Sequence, residues 1–315
     1  LTSALVNYST LFVLIVLVLA FGLLRPHAFF STNNLQNLFV QAAPGAVAAL
    51  ALTLTLMVGE FDLSIGYMAS LAGMLVFGFM VNEMWGFGPA LVTTLAICAL
   101  LGTLSGLVVA KLKVNAFIGT LGVGFLAVGI IYAFSGGATI AGDSPDIVTS
   151  IGLGRTLGIS NLTIIWAIVS IVLWVATERT RWGIHLRAVG GNDRAASLVG
   201  LNISRIRWST FICSASFAAI AGVMLACRLG SGEPTAGDSF LLDGFAAAFL
   251  GRGFYRPGEF NVPGTIVGAL VLQVGYSGLA LMGFPTAARY FFAGFILIVA
   301  LALGTVAGSF QGKRA

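Results

Sequence analysis

Two carboxylates and a serine stand close together in an otherwise apolar part of the chain, in the segment GEFDLSIG at 59–66. Charged groups at membrane depth cost free energy and usually serve a function. Glu60, Asp62 and Ser64 are therefore candidates for lining the pathway of a polar solute. Asp62 or Ser64 could equally cap the helix that begins there, and the two roles are compatible. Glu60 suits a cap less well and could pair with a basic residue of a loop.

A second candidate segment is NAFIGTLG at 115–122. Asn115 predicts the N-cap of a helix. Phe117 and Thr120 are three residues apart, so they are expected to share one helix face. An aromatic ring beside a hydroxyl can hold a sugar ring, although the same pair also occurs on ordinary apolar faces. We add Asn115, Phe117 and Thr120 to the candidate pathway.

Enzyme chemistry has little support in the sequence. The motif GYSG at 275–278 matches the pattern around the serine of intramembrane rhomboid proteases. A nucleophilic serine needs a base, and the two histidines, His27 and His185, are expected in loops away from Ser277. The chain has no GxxxxGK[ST] phosphate-binding loop, so we do not expect it to hydrolyse ATP.

The most informative polar stretch is GGNDRAASLVG at 190–200. Its two glycines predict a break, its asparagine an N-cap, and RAASLV a short helix that the last glycine ends. A helix this short is unstable alone and needs a surface to lie in, on which its two alanines would allow close docking. A solvated basic loop is the alternative. It would explain the arginines but not the succession of glycines, cap, alanines and final glycine. The residues concerned are Gly190, Gly191, Asn192, Ala195, Ala196 and Gly200.

These segments are set in a very apolar chain. Of its 315 residues 58% are hydrophobic and 9% are charged, with a mean hydropathy of +1.01, whereas soluble domains are about one quarter charged. About 20 apolar residues form a helix that crosses a bilayer. The sequence therefore predicts an all-α polytopic membrane protein in the lipid bilayer. Its ten predicted spans are 5–24, 36–58, 63–81, 89–110, 117–134, 160–177, 209–227, 240–255, 263–282 and 288–308.

The basic residues predict how these spans are oriented. With ten spans and both termini in the cytoplasm, twelve Lys and Arg residues fall on the cytoplasmic side and four on the outer side. Membrane proteins show this bias, so the net charge of +5 does not call for a nucleic-acid partner. The segment 240–255 is the weakest span, because Asp243 and Gly253 interrupt it. A re-entrant segment there would move the C-terminal GKRA outside.

An internal repeat supports the same count. GEFDLSIGYMASLAG at 59–73 aligns with GDSFLLDGFAAAFLG at 237–251, with matching glycine, leucine and alanine positions. The first copy would enter the membrane from the cytoplasm and the second from outside, so the repeat is inverted, as in many transporters. We predict one transmembrane domain over 1–315, with five-helix repeats at about 5–134 and 160–308 and a cytoplasmic loop at 178–208.

Four stretches, in order along the chain, resemble the ribose-type (monosaccharide) permeases of ABC importers, a family related to branched-chain amino acid permeases. They are GEFDLSIGYMASLAG, NAFIGTLG, GGNDRAASLVGLNISRIR, and PTAGDSFLLDGFAAAFLG followed by VPGTIVGALVL. The resemblance implies a permease of the bacterial cytoplasmic membrane that imports a monosaccharide, a polyol or a similar small polar solute. It implies a second permease subunit, identical or homologous, and an external solute-binding protein. It also implies two cytoplasmic subunits that bind ATP and Mg, and no cofactor in this chain.

In such importers a short cytoplasmic helix lies in a cleft of the ATPase, and the resemblance assigns this role to the six residues at 190–200. Two departures concern the solute. Many ribose permeases have glycine in place of Glu60, and many have proline before the phenylalanine equivalent to Phe117. The alternatives are a related permease for branched-chain amino acids, nucleosides or a signalling sugar, and an ion-coupled secondary transporter.

Overall fold

The computed structural model describes the backbone of residues 8–311 and the side chains of 8–300 and 302. The start of the first predicted span and the basic pair Lys313 and Arg314 lie outside the described residues. In chain order the helices are α1 (Ser9–Leu24), α2 (Pro26–Phe29), α3 (Thr32–Met57), α4 (Ile65–Val81), α5 (Phe87–Gly106, continued by a π-helical turn, Leu107–Lys111), α6 (Ala116–Ser135), α7 (Asp146–Leu153), α8 (Asn161–Arg179), α9 (Arg181–Gly191), α10 (Asp193–Leu198), α11 (Ile203–Leu229), α12 (Ser239–Gly251), α13 (Val262–Leu281) and α14 (Ala287–Gln311).

Within residues 8–311, four two-residue strands form two antiparallel pairs. They are β1 (Ile140–Ala141), β2 (Arg155–Thr156), β3 (Ile159–Ser160) and β4 (Ser231–Gly232). β1 pairs with β4, and β2 pairs with β3. The first pair ties the loop after α6 to the turn after α11.

Ten apolar helices coincide in order with the ten predicted spans. Among the described residues, α3, α5 with its π-helical turn, α6, α8, α11 and α13 are long and apolar enough to cross a membrane. Three further apolar helices, α1, α4 and α12, are shorter, and α14 is apolar over Ala287–Ala300, the part of it in which every side chain is described. The chain is therefore a largely helical, polytopic membrane protein. The predicted span 240–255 is shorter than expected, since the 13 residues of α12 extend only about 20 Å against a hydrocarbon thickness of about 30 Å.

Small residues bring the central helices close together, as is typical of helix packing in membranes. A Cβ atom at Gly222 of α11 would lie 2.0 Å from the carbonyl oxygen of Ala69 in α4, so only glycine fits there. On α12, a Cβ atom at Gly244 would lie 3.5 Å from the Cα atom of Ala49 in α3. α11 therefore lies directly against the backbone of α4, and α12 packs on α3 at ordinary van der Waals distance.

The same packing pairs recur in the two halves of the chain. α4 packs against α5, α6 and α11, and α12 packs against the corresponding helices α13, α14 and α3. Likewise α5 packs on α11, and α13 packs on α3. The outer helices do not follow this rule, because α8 packs on α3 whereas α1 packs on α13.

The connecting segments gather at two ends of the bundle. At one end, called here the α10 side, Arg207 pairs with Glu60 and Arg256 pairs with Glu178. The opposite end, called the β1–β4 side, contains the two strand pairs. α12 begins after β4 on the β1–β4 side and leads to the turn with Arg256 on the α10 side. The segment at 240–255 therefore passes from one side to the other.

Candidate functional site

The short helix predicted at RAASLV is present as α10. The Asn192 side chain caps it, because its Oδ1 accepts a hydrogen bond from the Ala195 N–H at 2.9 Å. Gly200 follows the helix with φ +83°, a left-handed conformation that favours glycine and ends helices. The predicted cap and the predicted stop are both confirmed.

The predicted break at the two glycines is wrong. Gly190 and Gly191 form the last turn of α9, and the chain leaves the helix at Asn192, where φ is −161°. A Cβ atom at Gly190 would lie 1.9 Å from the carbonyl oxygen of Met57, whereas one at Gly191 would meet nothing within 4 Å. Gly190 therefore allows α9 to lie directly against the end of α3.

The two alanines of α10 face different surroundings, which corrects the expectation that both would face a partner. Ala196 is only 3% exposed and belongs to an apolar cluster with Met57, Val58, Leu186, Val189 and Ile206. Ala195 is exposed, and the apolar side chains of Leu198 and Val199 are 83% and 77% exposed. One face of α10 thus packs on its own chain, and the other presents apolar side chains outward.

Arg207 of α11 joins three segments on the α10 side. Its Nε lies 3.0 Å from Oε1 of Glu60, and its Nη2 lies 2.5 Å from Oδ2 of Asp193, the first residue of α10. The prediction that Glu60 pairs with a basic residue of the loop region is confirmed. Burial raises the pKa of the Glu60 carboxyl, and the Arg207 guanidinium opposes this shift. The ion pairs connect α10 to the segment that follows α3.

A second carboxylate on the same side was not found from the sequence. Glu178, at the end of α8, is 5% exposed and pairs through Oε1 with Arg187 of α9 at 3.1 Å. Its Oε2 lies 2.7 Å from Nη2 of Arg256 in the turn after α12. The signal that could have revealed it is an acidic residue directly before the basic run RTR. Glu178 holds α9 against two other segments.

Side-chain hydrogen bonds hold the segment between α3 and α4 in place. Asp62 is 1% exposed, and its Oδ1 accepts bonds from the Ser64 N–H and Oγ, at 3.0 and 2.6 Å. Its Oδ2 accepts a bond from Ser214 Oγ of α11 at 3.0 Å. The Leu63 N–H donates to Thr120 Oγ1 of α6 at 3.0 Å. Asp62 thus closes the turn before α4, as its capping interpretation expects, whereas the Ser64 side chain does not cap that helix.

The start of α6 separates the residues that were expected to act together. Asn115 caps the helix as predicted, since its Oδ1 accepts a bond from the Phe117 N–H at 3.0 Å. Thr120 is fully buried, whereas Phe117 is 55% exposed. The hydroxyl therefore lies in the core and the ring at its surface, although both residues belong to the same helix. The six predicted pathway residues do lie on the α10 side, since the Thr120 bond joins their two segments.

Ser277, the serine of the GYSG motif, is hydrogen-bonded to an asparagine rather than to a histidine. Its Oγ donates to Oδ1 of Asn34 at 2.9 Å. An amide oxygen accepts this bond but does not act as a base for a nucleophile. The contact joins α13 to the start of α3.

A polar cavity of about 310 Å³ lies within the bundle toward the β1–β4 side. α3, α11, α12, α13 and the first turn of α14 surround it, and none of the predicted pathway residues lines it. Asp243, noted in the sequence only as an interruption of a span, is one of its residues, and an ionisable residue inside a span is a general sign of function. The polar side chains around it are Gln41, Arg228, Glu233, Asp243, Gln273, Tyr276 and Arg289.

Comparison with known proteins gives concordant matches over most of the chain. The family described as "Branched-chain amino acid transport system / permease component" matches residues 34–301. The ribose import permease protein of Escherichia coli strain K12 is 33% identical, over 89% of this chain and 87% of that protein. The D-allose transport system permease protein of the same strain is 30% identical, over 94% and 91%. The fructose import permease protein of Rhizobium meliloti is 31% identical, over 93% and 83%.

Proposed function

Because this chain belongs to the family of branched-chain amino acid transport system permease components, we propose that it is the membrane-spanning permease subunit of an ABC importer for a monosaccharide, a polyol or a similar small polar solute. The sugar class rests on the relatives, whose names specify ribose, allose and fructose. In this proposal the permease carries out no covalent chemistry. It provides the path across the membrane, and ATP hydrolysis by other subunits drives the change of access.

The observation that carries the proposal is the surface of α10. Leu198 and Val199 are exposed at the end of a capped helix whose other face is fixed to its own chain. Two large apolar side chains exposed side by side, outside the apolar spans, suit contact with another protein. We assign this surface to the cleft of a cytoplasmic ATP-binding subunit. Arg207 then transmits movement of α10 to the segment after α3, since it contacts both Asp193 and Glu60.

The proposed topology has ten spans in two inverted five-helix repeats, with both ends of the chain in the cytoplasm. The matching packing pairs of four helices in each half support the repeats. α12 passes from the β1–β4 side to the α10 side, which supports an even number of membrane spans. The loop 178–208 is then cytoplasmic, and the β1–β4 side faces outward.

The complex would contain a second permease subunit, two ATP-binding subunits that hold ATP and Mg, and an external solute-binding protein. Its location would be the bacterial cytoplasmic membrane, and this chain would bind no cofactor. Two other functions are outcomes of the same test. One is a related permease for branched-chain amino acids, nucleosides or a signalling sugar, and the other is an ion-coupled secondary transporter.

The test is uptake into proteoliposomes by the complex, purified through a tag on this chain together with its associated subunits and binding protein. Labelled D-ribose, D-allose, D-fructose, D-galactose and L-leucine are offered separately, with ATP supplied on the side of the ATP-binding subunits. We expect ATP-dependent uptake of at least one sugar, unaffected by ionophores that collapse ion gradients. Uptake that an ion gradient drives without ATP would contradict the proposal, as would uptake of L-leucine alone.

A further inference from the structure

The cavity between α3, α11, α12, α13 and α14 contains charges that nothing so far explains. It lies in the half of the bundle next to the β1–β4 side, and Arg228, Glu233, Asp243 and Arg289 line it. Charged side chains inside a membrane protein are costly unless they are paired or serve a ligand or an ion. These groups take no part in the contacts on the α10 side.

The bonds within the cavity leave much of its hydrogen-bonding capacity unused. Tyr276 donates its hydroxyl proton to Oδ1 of Asp243 at 2.6 Å, and the Arg289 guanidinium lies 4.4 Å from the centre of the Tyr276 ring. Among the described residues, no donor reaches Oδ2 of Asp243. Arg228 and Arg289 likewise make no ion pair within 4.0 Å to a described carboxylate. The cavity therefore presents both free acceptors and free donors.

The balance of charge selects the class of ligand. Two carboxylates face two guanidiniums, so the lining has no net formal charge. Gln273 donates a long hydrogen bond from Nε2 to Oε1 of Gln41 at 3.5 Å, and the other donors and acceptors of these two amides add to the lining. A hydroxyl group also donates and accepts, so a neutral solute with several hydroxyls can satisfy this lining. A branched-chain amino acid also has no net charge, and its ammonium and carboxylate could pair with the charged groups. Its aliphatic side chain, however, would leave the remaining buried polar groups without partners, at a cost in free energy.

We propose that this cavity binds a neutral polyhydroxylated solute, a monosaccharide or a polyol, within a single permease subunit. Its volume of about 310 Å³ lies at the lower end of the range of about 300–1,000 Å³ found for small-ligand sites. Asp243 accepts hydrogen bonds from solute hydroxyls, Gln273 and the two arginines complete the polar lining, and Tyr276 positions the Asp243 carboxylate. The inference rests on the proposed function and adds where the solute is held and why its class is neutral and polar.

Binding to the purified permease complex in lipid nanodiscs, without nucleotide and without the solute-binding protein, tests the site. Labelled D-ribose, D-allose, D-fructose, D-galactose and ribitol are titrated to millimolar concentration, with L-leucine for comparison. We expect saturable binding of at least one sugar or polyol and no binding of L-leucine. Asp243→Asn should raise the Kd about tenfold or more, which corresponds to about 1.4 kcal/mol.

Glu83→Gln is the matched control, because it removes an exposed carboxylate at the end of α4, outside the cavity, and should leave the Kd unchanged. If Asp243→Asn does not fold, Gln273→Met provides the same test. The site is refuted if no sugar or polyol binds, if L-leucine binds instead, or if the folded cavity variant binds as tightly as the wild type. ATP-driven sugar uptake by a complex that fails the binding test would refute the site alone. If the wild-type complex shows no ATP-driven sugar uptake, the proposed function itself is refuted.

Discussion

The contact of Gly190 with the end of α3 predicts that Gly190→Ala loosens the connection between α9 and the rest of the chain. The added Cβ atom would lie 1.9 Å from the Met57 carbonyl oxygen, about 1.5 Å closer than the 3.4 Å at which ordinary contact begins. A backbone oxygen cannot rotate away as a flexible side chain can. α9 must therefore move, and α10 with it.

The magnitude follows from two opposing effects. Overpacking a close contact costs about 1–3 kcal/mol, and a clash with backbone belongs in the upper part of that range. Alanine is a better helix former than glycine and returns up to about 1 kcal/mol. The contact between α9 and α3 therefore loses about 1–2 kcal/mol of free energy. This corresponds to a roughly 5- to 30-fold larger population of the state in which α9 is detached from α3.

Limited trypsin digestion of the solubilised complex measures this population, because cleavage of a transiently opened segment tracks its equilibrium population when opening is fast. Arg187 lies within α9 and pairs with Glu178, so cleavage after Arg187 reports the opening of that helix. We expect cleavage there about 5- to 30-fold faster in Gly190→Ala than in the wild type. Gly191→Ala is the matched control for this assay, since its Cβ atom would meet nothing within 4 Å. Equal cleavage rates in the two variants would refute the reasoning.

Two further predictions concern the α10 side. Arg207→Met should destabilise the complex by about 1–2 kcal/mol, between the values for exposed and buried ion pairs, since the Arg207 and Glu60 side chains are 25% and 15% exposed. Adding Glu60→Gln should recover part of the loss in thermal unfolding, and a double variant no more stable than Arg207→Met would contradict the pairing. Leu198→Arg should leave the thermal stability of the isolated chain unchanged, because Leu198 is 83% exposed, but should abolish copurification of the ATP-binding subunit. Normal copurification would show that the subunit docks elsewhere.

Local features of this chain followed from the sequence because a few adjacent residues decide them. Each apolar run predicted a helix, since its own length and hydropathy determine whether it can cross a bilayer. Asn115 and Asn192 predicted N-caps correctly, because the capping bond joins residues only two or three positions apart. The sequence also indicated that Glu60 could pair with a basic residue, because a carboxylate between two apolar spans needs a cation nearby, but it did not identify Arg207 as that residue.

Tertiary structure alone decided which distant groups meet. Gly190 looked like a break in the chain, yet its importance lies in Met57, which is 133 positions away and whose carbonyl oxygen leaves no space for a Cβ atom. Ala196 and Thr120 are buried because other helices cover them, while Ala195 and Phe117 on the same helices are exposed. The cavity depends on five helices at once, from Gln41 to Arg289. No local pattern encodes it, since its volume and its balance of charge exist only after those helices have packed.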